Sequence, residues 1–371
     1  MSERDLSVRH HLSSAVDDMP IDIGARLSEL GADRLPAPPH HRAAAIVVAV
    51  LVAVAGLGFA GRAFLSNSER AGAGLPVGPI LFERWEENLE APEPFTVRMW
   101  SVSEDGTRSD PIPQPEGNNT AAVWSPDGAR IAFVGHEPPT ASTSTLWVMN
   151  ADGSGLTPLT DGFGVDQPAW SPDGRQIVFM GTRDPDPEGD SGPTGIWSVP
   201  AGGGEPRLLL EGSWEDPSWS PDGTRLVVLG WDDDVRGLYV ANADGSGPSR
   251  LTEGGANYAN PAWSPDGTQI AFSRWTTGWN VDVYVMSADG GEMRQLTDWR
   301  GWDSAPVWSP DGTRIVFTSD RDATPDELEI DERGGSGEHG LAVYVMDADG
   351  RNVRVVFDDD AMQSSPTSWG P

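Results

Sequence analysis

The sequence contains no cysteine among its 371 residues. Disulfide bonds, thiol nucleophiles and zinc sites built from thiolates are therefore excluded. A lipid anchor of the bacterial lipoprotein kind, which is attached to a cysteine, is excluded for the same reason.

Lysine is also absent, so all 25 basic residues are arginines, and 57 acidic residues outnumber them. The formal net charge is −32, and almost all of it arises after residue 74. A surface this acidic repels phosphate backbones, which argues against nucleic acid as a partner. Solubility, divalent cations and a basic partner remain as explanations of the charge.

Residues suited to catalysis are scarce. Only two of the six histidines, His136 and His339, lie after residue 74, and they fall in unlike predicted loops. A Ser/His/Asp arrangement therefore has no evident base. The sequence also lacks a Gly-x-Ser-x-Gly motif. We predict that this protein is not an enzyme.

A repeated pentapeptide is the most distinctive feature present. Ser-Pro-Asp-Gly is typical of a type I turn followed by a left-handed glycine, which is a common hairpin connection. A repeat of 40 to 50 residues is typical of a propeller or a solenoid. The five copies of Trp-Ser-Pro-Asp-Gly are 44 to 49 residues apart and begin at Trp124, Trp170, Trp219, Trp263 and Trp308.

Short apolar runs surround each pentapeptide. The runs that follow it, such as residues 131–134 and 177–180, are rich in β-branched and aromatic side chains and predict strands. A second run follows in each repeat, and four of these five lead into Ala-Asp-Gly, another turn closed by glycine. A short fourth strand then leads to the next Pro-x-Trp. Four strands per repeat indicate a propeller blade.

The two ends of the repeat region predict the number of blades. Residues 80–82, 97–100 and 111–113 resemble the second, third and fourth strands of a blade that lacks its innermost strand. Residues 364–369 resemble the strand that ends at Trp219, with one residue inserted. Pairing these two ends predicts an all-β, six-bladed propeller over residues 79–371 with no free sheet edge.

The repeat, Pro-x-Trp-Ser-Pro-Asp-Gly-x-x-Ile-x-Phe with a later aromatic-Val-Met-x-Ala-Asp-Gly, resembles that of bacterial TolB-like (WD-repeat-like) β-propellers. The resemblance covers roughly residues 79–371. It implies the fold first, and it implies binding rather than catalysis as the usual function. Fold alone does not establish function.

Residues 43–61 carry no charge and lie between Arg42 and Arg62. As a helix they would be about 28 Å long, close to the ~30 Å core of a bilayer. We predict a tail over residues 1–42 that is partly helical or disordered, a transmembrane helix over 43–64 and a linker over 65–78. A secretory signal peptide is the alternative, but the apolar run begins far too late for one.

The arginines beside this segment predict its orientation. A slight excess on its N-terminal side favours a cytoplasmic tail and a propeller outside the cell membrane, periplasmic or extracellular. The tail is either a plain membrane-proximal segment or a docking site for a cytoplasmic partner. It resembles, loosely, the cytoplasmic arms of bacterial anti-sigma factors, without the His/Cys zinc signature of many of them.

Tryptophans cluster in the loops at one end of the predicted blades. Strand order places the Ser-Pro-Asp-Gly and Ala-Asp-Gly turns at one end, and the variable loops at the other. Aromatic anchors within a charged rim are typical of a binding surface, whereas packing of these rings between blades is the alternative. The predicted partner-binding residues are Trp214, Asp216, Trp231, Trp275, Trp279, Trp299, Trp302 and Asp303.

A polar ring is predicted at the mouth of the central channel. The residues that precede the repeated proline, together with one from the C-terminal strand, would surround it: Gln167, Asp216, Asn260 and Ser365, with Ala305 as an apolar member. Such a ring could hold a water chain, a cation or the end of a peptide.

Metal motifs are weak. Residues 184–195 imitate the start of a calcium loop, but position twelve is Gly195 rather than Glu, and two prolines interrupt it. A solvated acidic loop is the preferred interpretation there, and also for the acidic insertion at residues 320–340. We therefore predict no cofactor, with calcium as a weak alternative.

These features predict a membrane-anchored, extracytoplasmic propeller that serves as a protein- or peptide-binding scaffold. A ligand- or cation-binding receptor, or a propeller enzyme, that uses the acidic channel mouth is the alternative. A third possibility is a signalling protein whose tail engages a cytoplasmic regulator.

Overall fold

The computed structural model describes the greater part of the propeller region, which lies in one compact unit, Gly72–Pro371. The predicted tail, transmembrane helix and linker lie outside the described residues, and so do Trp279 and most of the two acidic loops. None of the described residues forms a helix of the length and apolarity that a membrane crossing needs. The described residues are 79–87, 95–136, 144–183, 192–232, 235–253, 256–275, 280–321, 341–358 and 364–371.

Six antiparallel sheets of four strands make up this part of the chain. Each sheet is one blade, whose strands follow one another from the channel outwards. From innermost to outermost, blade 1 consists of β24 (Ser364–Trp369), β1 (Ile80–Glu87), β2 (Phe95–Val102) and β3 (Ser109–Pro111). Blade 2 consists of β4 (Asn118–Trp124), β5 (Arg130–His136), β6 (Ser144–Asn150) and β7 (Thr157–Pro158). Blade 3 consists of β8 (Phe163–Trp170), β9 (Gln176–Arg183), β10 (Thr194–Pro200) and β11 (Arg207–Glu211).

The remaining three blades follow the same order. Blade 4 consists of β12 (Glu215–Trp219), β13 (Arg225–Asp232), β14 (Val235–Asn242) and β15 (Ser249–Arg250). Blade 5 consists of β16 (Tyr258–Trp263), β17 (Gln269–Trp275), β18 (Val281–Ser287) and β19 (Met293–Gln295). Blade 6 consists of β20 (Asp303–Trp308), β21 (Arg314–Ser319), β22 (Ala342–Asp347) and β23 (Arg354–Phe357).

The innermost strands close into a ring. Each of β4, β8, β12, β16, β20 and β24 contacts the innermost strand of the next blade, and β24 contacts β4 again. These strands therefore surround one central channel. The all-β, six-bladed architecture predicted from the repeats is confirmed.

The last strand completes the first blade. β24 pairs antiparallel with β1, with Trp369 opposite Ile80 and Ser365 opposite Glu83. The sequence predicted that β24 has one residue more than the innermost strands of the other blades. The strand pairing shows that each of those strands also contains a one-residue register shift, so the extra residue does not set β24 apart from them. Blade 1 therefore closes with the same stagger as its neighbours.

The repeated turns have one local structure. In the first copy the Ser125 hydroxyl donates to Oδ1 of Asp127 at 2.6 Å, and the Gly128 amide donates to the Ser125 carbonyl at 2.8 Å. Gly128 has φ of +66°, a conformation that glycine adopts without strain. The same serine-to-aspartate bond recurs in the other four copies, so each blade begins from an equivalent hairpin.

The core lies between neighbouring blades. The second strands carry a fully buried phenylalanine at equivalent positions in five of the six blades, each removing a large apolar side chain from water: Phe82, Phe133, Phe179, Phe272 and Phe317. Burial of such a ring contributes about 1.5–3 kcal/mol. Blade 4 has Val228 at this position instead.

Candidate functional site

The propeller has two unlike ends. We call the end that carries the Ser-Pro-Asp-Gly turns and the turns between third and fourth strands the turn face. We call the opposite end, which carries the connections between blades and between second and third strands, the loop face. Antiparallel pairing within each sheet places these connections at opposite ends. The predicted partner-binding residues that the structure describes all belong to the loop face.

The register shift in the innermost strands has a defined backbone geometry. In five of the six innermost strands, β4, β8, β12, β16 and β20, one residue has a positive φ of 49° to 53°, which is uncommon for residues other than glycine. We call these residues the channel ring: Ala121, Gln167, Asp216, Asn260 and Ala305. Gln167, Asp216, Asn260 and Ala305 are the residues that the sequence predicted at the channel mouth, and Ala121 is their counterpart in blade 2. Each lies at the bulge of its strand.

Side chains of one blade hold the channel-ring amide of the next. The Asp216 amide donates to Oε1 of Gln167 at 2.9 Å, and the Asn260 amide donates to Oδ2 of Asp216 at 2.7 Å. In the same way the Ala121 amide donates to Oε1 of Glu83 at 2.6 Å. A bulge frees an amide from the sheet ladder, and these bonds satisfy it while linking adjacent blades.

Blade 6 uses a variation of this link. The Ala305 amide donates to the hydroxyl of Ser273 at 3.0 Å, and that hydroxyl lies 3.4 Å from Oδ1 of Asn260. Gln167, Asp216 and Asn260 are therefore brought together as predicted, around the same channel. Their polar atoms serve at least in part to join the blades.

Ser365 does not match this ring. It lies opposite Glu83, as Glu215 lies opposite Leu229 in blade 4, so it corresponds to the residue before the bulge. The sequence alignment on Pro366 misplaced it, because the proline in β24 is one residue further from the tryptophan than in the other blades. Glu83, from the second strand, supplies the link to blade 2 instead.

Several carboxylates crowd the channel mouth between blades 1 and 4. Burial raises the pKa of Asp216 to about 6; the nearby charges of Glu215 and Asp166 add to the rise, while the Asn260 amide and Arg236 oppose it. Burial likewise raises the pKa of Glu83 and of Asp166. Asp166 is open to water, but the walls of the channel still limit its hydration.

Arg236 partly balances this charge. Its guanidinium forms an ion pair with Glu215 and lies 5.9 Å from the centre of the Trp231 ring. Trp231 is 47% exposed, the largest exposed fraction among the described tryptophans. An open aromatic ring, a cation and carboxylates thus meet on the loop face of blade 4.

A second polar cluster fixes the connection between blades 5 and 6. Asp320 accepts hydrogen bonds from Nε1 of Trp299 at 3.1 Å and from the Trp302 amide at 2.9 Å. Asp282 accepts from the Trp299 amide at 3.3 Å. Burial raises the pKa of both carboxyls, that of Asp282 to about 6. Acidic side chains therefore hold the ring of Trp299 and the backbone at Trp302 in place, and both tryptophans are half-buried.

Asp303 does not belong to an exposed rim. Its side chain is completely buried, and it pairs with Arg321 through a 2.6 Å contact to Nη2 and a 3.2 Å contact to Nε. The Ser319 hydroxyl donates to it at 2.6 Å. A partner on the surface cannot reach this carboxylate, so its assignment as a contact residue is wrong.

Two other tryptophans of the predicted surface are largely packing residues. Trp214 meets Tyr239 edge to face, with ring centres 5.2 Å apart, and its Nε1 donates to the Glu211 carbonyl. It also covers Gly230, where a side chain would collide with its ring. Trp275 packs against the core cluster that contains Phe272. The packing alternative therefore holds for these two, and Trp279 lies outside the described residues.

Within the part of the chain that the structure describes, no three histidine or acidic side chains are grouped so as to hold a metal ion. The calcium-like sequence at residues 184–195 falls mostly outside that part.

The half-buried carboxylates Glu83 and Asp320 and the buried carboxylate Asp282 were missed at the level of sequence. Two of them have a local signal: Glu83 follows three buried apolar residues in β1, and Asp282 lies between two valines in β18. A charge inside a run that is otherwise apolar marks a buried group with a specific partner. Arg236 and Arg321 were missed as counterions of the acidic residues around them.

Comparison with known proteins shows which known folds this one resembles. A model of the tricorn protease N-terminal β-propeller domain matches residues 227–336, which is less than half of the chain. A comparison with curated protein sequences finds no match. The assignment of the fold therefore depends on solved structures.

Many solved structures are similar to this chain over most of its length. The crystal structure of TolB from Acinetobacter baumannii is 19% identical, with a TM-score of 0.58, covering 79% of this chain and 67% of that one. A putative TolB from Agrobacterium tumefaciens is 24% identical, with a TM-score of 0.54, covering 79% and 93%. A chain of a nidogen/laminin complex is 11% identical, with a TM-score of 0.52, covering 78% and 100%. The fold is thus a TolB-like six-bladed β-propeller.

Proposed function

We propose that this chain is a protein- or peptide-binding scaffold, not an enzyme, and that the loop face of blades 4 to 6 is its binding surface. The observation that carries the proposal is Trp231, which is 47% exposed beside the ion pair of Arg236 and Glu215. Exposed tryptophan next to fixed charges is typical of the residues that dominate protein interfaces. Among the solved structures of similar fold is a propeller crystallised within a nidogen/laminin complex, which supports binding as a use of the fold.

Trp299 and Trp302 extend this surface, because both are half-buried, and Asp320 binds the ring nitrogen of Trp299 and the backbone amide of Trp302. Preorganised aromatic side chains lose little conformational entropy on binding. The acidic character of the propeller favours a partner segment that carries arginine or lysine.

The test is proximity labelling with the full chain in its native host, comparing Trp231→Ala with Leu156→Ala. Leu156 is a similarly exposed apolar residue (40%) on the turn face, so it controls for loss of surface hydrophobicity. We expect a partner that wild type and Leu156→Ala recover and Trp231→Ala loses. Recovery of the same partner by all three chains would contradict the proposal.

The location outside the cell membrane and the single span over residues 43–64 are part of the same proposal. They are supported by the uncharged segment 43–61 and its flanking arginines. Because the chain has no cysteine, a single introduced thiol reports topology without background. Ser249→Cys should react with a membrane-impermeant maleimide on cells whose outer barrier has been opened, whereas Ser7→Cys should not. The reverse pattern would overturn the orientation.

A second candidate is a cation or ligand receptor at the channel mouth. It is favoured by the raised pKa values of Glu83, Asp166 and Asp216 around the channel mouth, although in this structure the three carboxylates are not grouped closely enough to form a metal site. A cation bound there would lower these pKa values and stabilise the fold. Calcium should then raise the thermal midpoint of the wild type but not of Asp216→Asn, which keeps the hydrogen bond to the Asn260 amide. Capture of a cytoplasmic protein by residues 1–42 would support signalling through the tail.

A further inference from the structure

The tryptophan at the end of each innermost strand lies against the preceding blade. Five of these six rings are nearly inaccessible, with exposed fractions of 7–8%: Trp124, Trp170, Trp263, Trp308 and Trp369. Trp219 is the exception and is only half-buried. The interface between blades 3 and 4 therefore differs from the other five on the turn face.

Arginines cover three of the buried rings. The guanidinium of Arg130 lies 4.7 Å from the centre of the Trp170 ring in the next blade, and that of Arg225 lies 4.8 Å from Trp263. Arg314 lies 5.7 Å from Trp369 in the same relation. Each is the first residue of a second strand, so the repeat places a cation over the ring of the following blade.

Blade 3 has Gln176 at this position, and its side chain is exposed. Blade 5 also has glutamine, Gln269, but there the next ring, Trp308, is 7% exposed. The loss of arginine alone thus does not open an interface. Between blades 3 and 4 it coincides with a cavity.

This Trp219 cavity has a volume of about 600 Å³, within the usual range of small-ligand sites. Its lining includes the Trp219 ring and Gln176, together with three acidic residues and one basic residue: Asp173, Asp222, Asp244 and Arg207. The three aspartates accept hydrogen bonds from Ser171, Ser220 and Ser246, and these bonds are the first cause of their lowered pKa values. They are therefore ionised at neutral pH.

An aromatic face with anionic walls is suited to a cation. A guanidinium can stack on indole while it donates hydrogen bonds to carboxylates in its own plane. The chain itself makes this contact at three equivalent interfaces. Between blades 3 and 4, the ring, the negative charge and the space are present, and glutamine occupies the position that holds arginine at those three interfaces.

We propose that the Trp219 cavity binds the arginine side chain of a partner polypeptide, which takes over Trp219 the position that Arg130, Arg225 and Arg314 take over the neighbouring rings. The site lies on the turn face, so it is separate from the loop-face surface and does not depend on it. A partner could engage both faces or only this one.

The test is calorimetric titration of the full chain in detergent with acetyl-Gly-Arg-Gly-amide. The matched probe replaces arginine with citrulline, which has nearly the same shape and no charge. We expect the arginine peptide to bind about tenfold or more tightly than the citrulline peptide, as expected for a partly desolvated cation–π contact with added charge. Free arginine amide serves as the third probe, and a peptide that binds more tightly than it does identifies a polypeptide as the ligand.

Two variants locate the site. Gln176→Arg supplies the missing cation from within the chain and should abolish binding, with a thermal midpoint no lower than that of wild type. Gln269→Arg makes the same change between blades 5 and 6 and should leave binding unchanged. As a further check, Gln176→Glu adds a carboxylate at the cavity and should strengthen binding several-fold.

Equal binding of the arginine and citrulline peptides would overturn the proposal. So would full binding by Gln176→Arg, or tighter binding of free arginine amide than of the peptide. None of these results bears on Trp231, so failure here is distinguishable from failure of the loop-face surface.

Discussion

The acidic residues of the two faces behave in opposite ways. On the turn face, exposed aspartates such as Asp105 and Asp222 accept hydrogen bonds from serine, threonine and backbone amides, and their pKa values fall to about 2. On the loop face, Asp216 and Asp282 are buried near other carboxylates, and their pKa values rise to about 6. Hydrogen bonding to the anion dominates in the first case and desolvation in the second.

The contrast shows how one residue type serves two purposes in a repeat protein. Turn-face aspartates stabilise the hairpin that starts each blade, and they do so in their charged form. Loop-face carboxylates differ from blade to blade, and several remain charged at some cost to stability. Carboxylates with raised pKa values, like those of the loop face, are concentrated at functional sites more often than hydrogen-bonded turn aspartates are.

The largest expected effect comes from the buried pair of Asp303 and Arg321. Asp303→Ala leaves a guanidinium without its buried partner, and we expect a loss of about 3–5 kcal/mol in the free energy of unfolding. The control is Asp349→Ala on the turn face, whose partner Arg351 is highly exposed, and whose change should be small. Urea denaturation measures both. Similar losses in the free energy of unfolding for the two variants would contradict the difference between loop-face and turn-face carboxylates.

A smaller effect separates the two kinds of loop-face tryptophan. Trp214→Ala removes a ring that packs on Tyr239 and covers Gly230, and should cost about 2 kcal/mol, less than a fully buried tryptophan. Trp231→Ala removes an exposed ring and should leave stability nearly unchanged while it weakens capture of a partner. If Trp231→Ala proved the more destabilising of the two, the ring would belong to the packing and not to the binding surface.

The smallest effect is on the pH dependence of stability. Because the pKa of Asp216 is higher in the folded chain than the usual value, the native state binds more protons between about pH 4 and 6, and this group stabilises the fold as pH falls through that window. Asp216→Asn should therefore reduce the gain in urea midpoint between pH 7 and pH 5. An unchanged gain would contradict the raised pKa.

The turn-face aspartates should change stability in the opposite direction, and in a lower pH range. Their folded pKa values lie below the usual value of 3.8, so their contribution is present above about pH 4 and is lost as pH falls toward 2. Asp222→Asn should reduce the loss of stability in that range and leave the range from pH 5 to 7 unaffected. If Asp222→Asn changed the stability between pH 5 and 7 instead, the titrations of the turn-face and loop-face carboxylates would be coupled.

The blades could be predicted because every local signal agreed with the global fold. Ser-Pro-Asp-Gly dictates the turn, short apolar runs rich in β-branched and aromatic residues dictate the strands, and the unmatched strand at Ser364–Trp369 dictates closure. The arrangement of side chains at the candidate site could be predicted less well from the sequence. Sequence indicates which face a loop occupies, but not whether a ring such as that of Trp214 folds back onto the core.

Two errors have a common physical origin. Asp303 was taken for a surface residue because charge is usually exposed, yet Arg321 makes its burial possible. Ser365 was aligned by its neighbouring proline, whereas register is determined by backbone pairing through the bulge. In both cases the decisive partner lies on another strand, and one sequence does not reveal which residues become neighbours.

The pairing of β24 with β1 also governs how the propeller is made. Residues nearly 290 positions apart must meet, as Trp369 and Ile80 do, and contacts between such distant residues form slowly. During synthesis the edge of β1 stays unpaired until the final strand emerges, and an unpaired edge invites pairing with another chain. A chain that stops at residue 358 should therefore aggregate, as sedimentation would show. Supplying residues 364–369 as a separate peptide should restore a monomer.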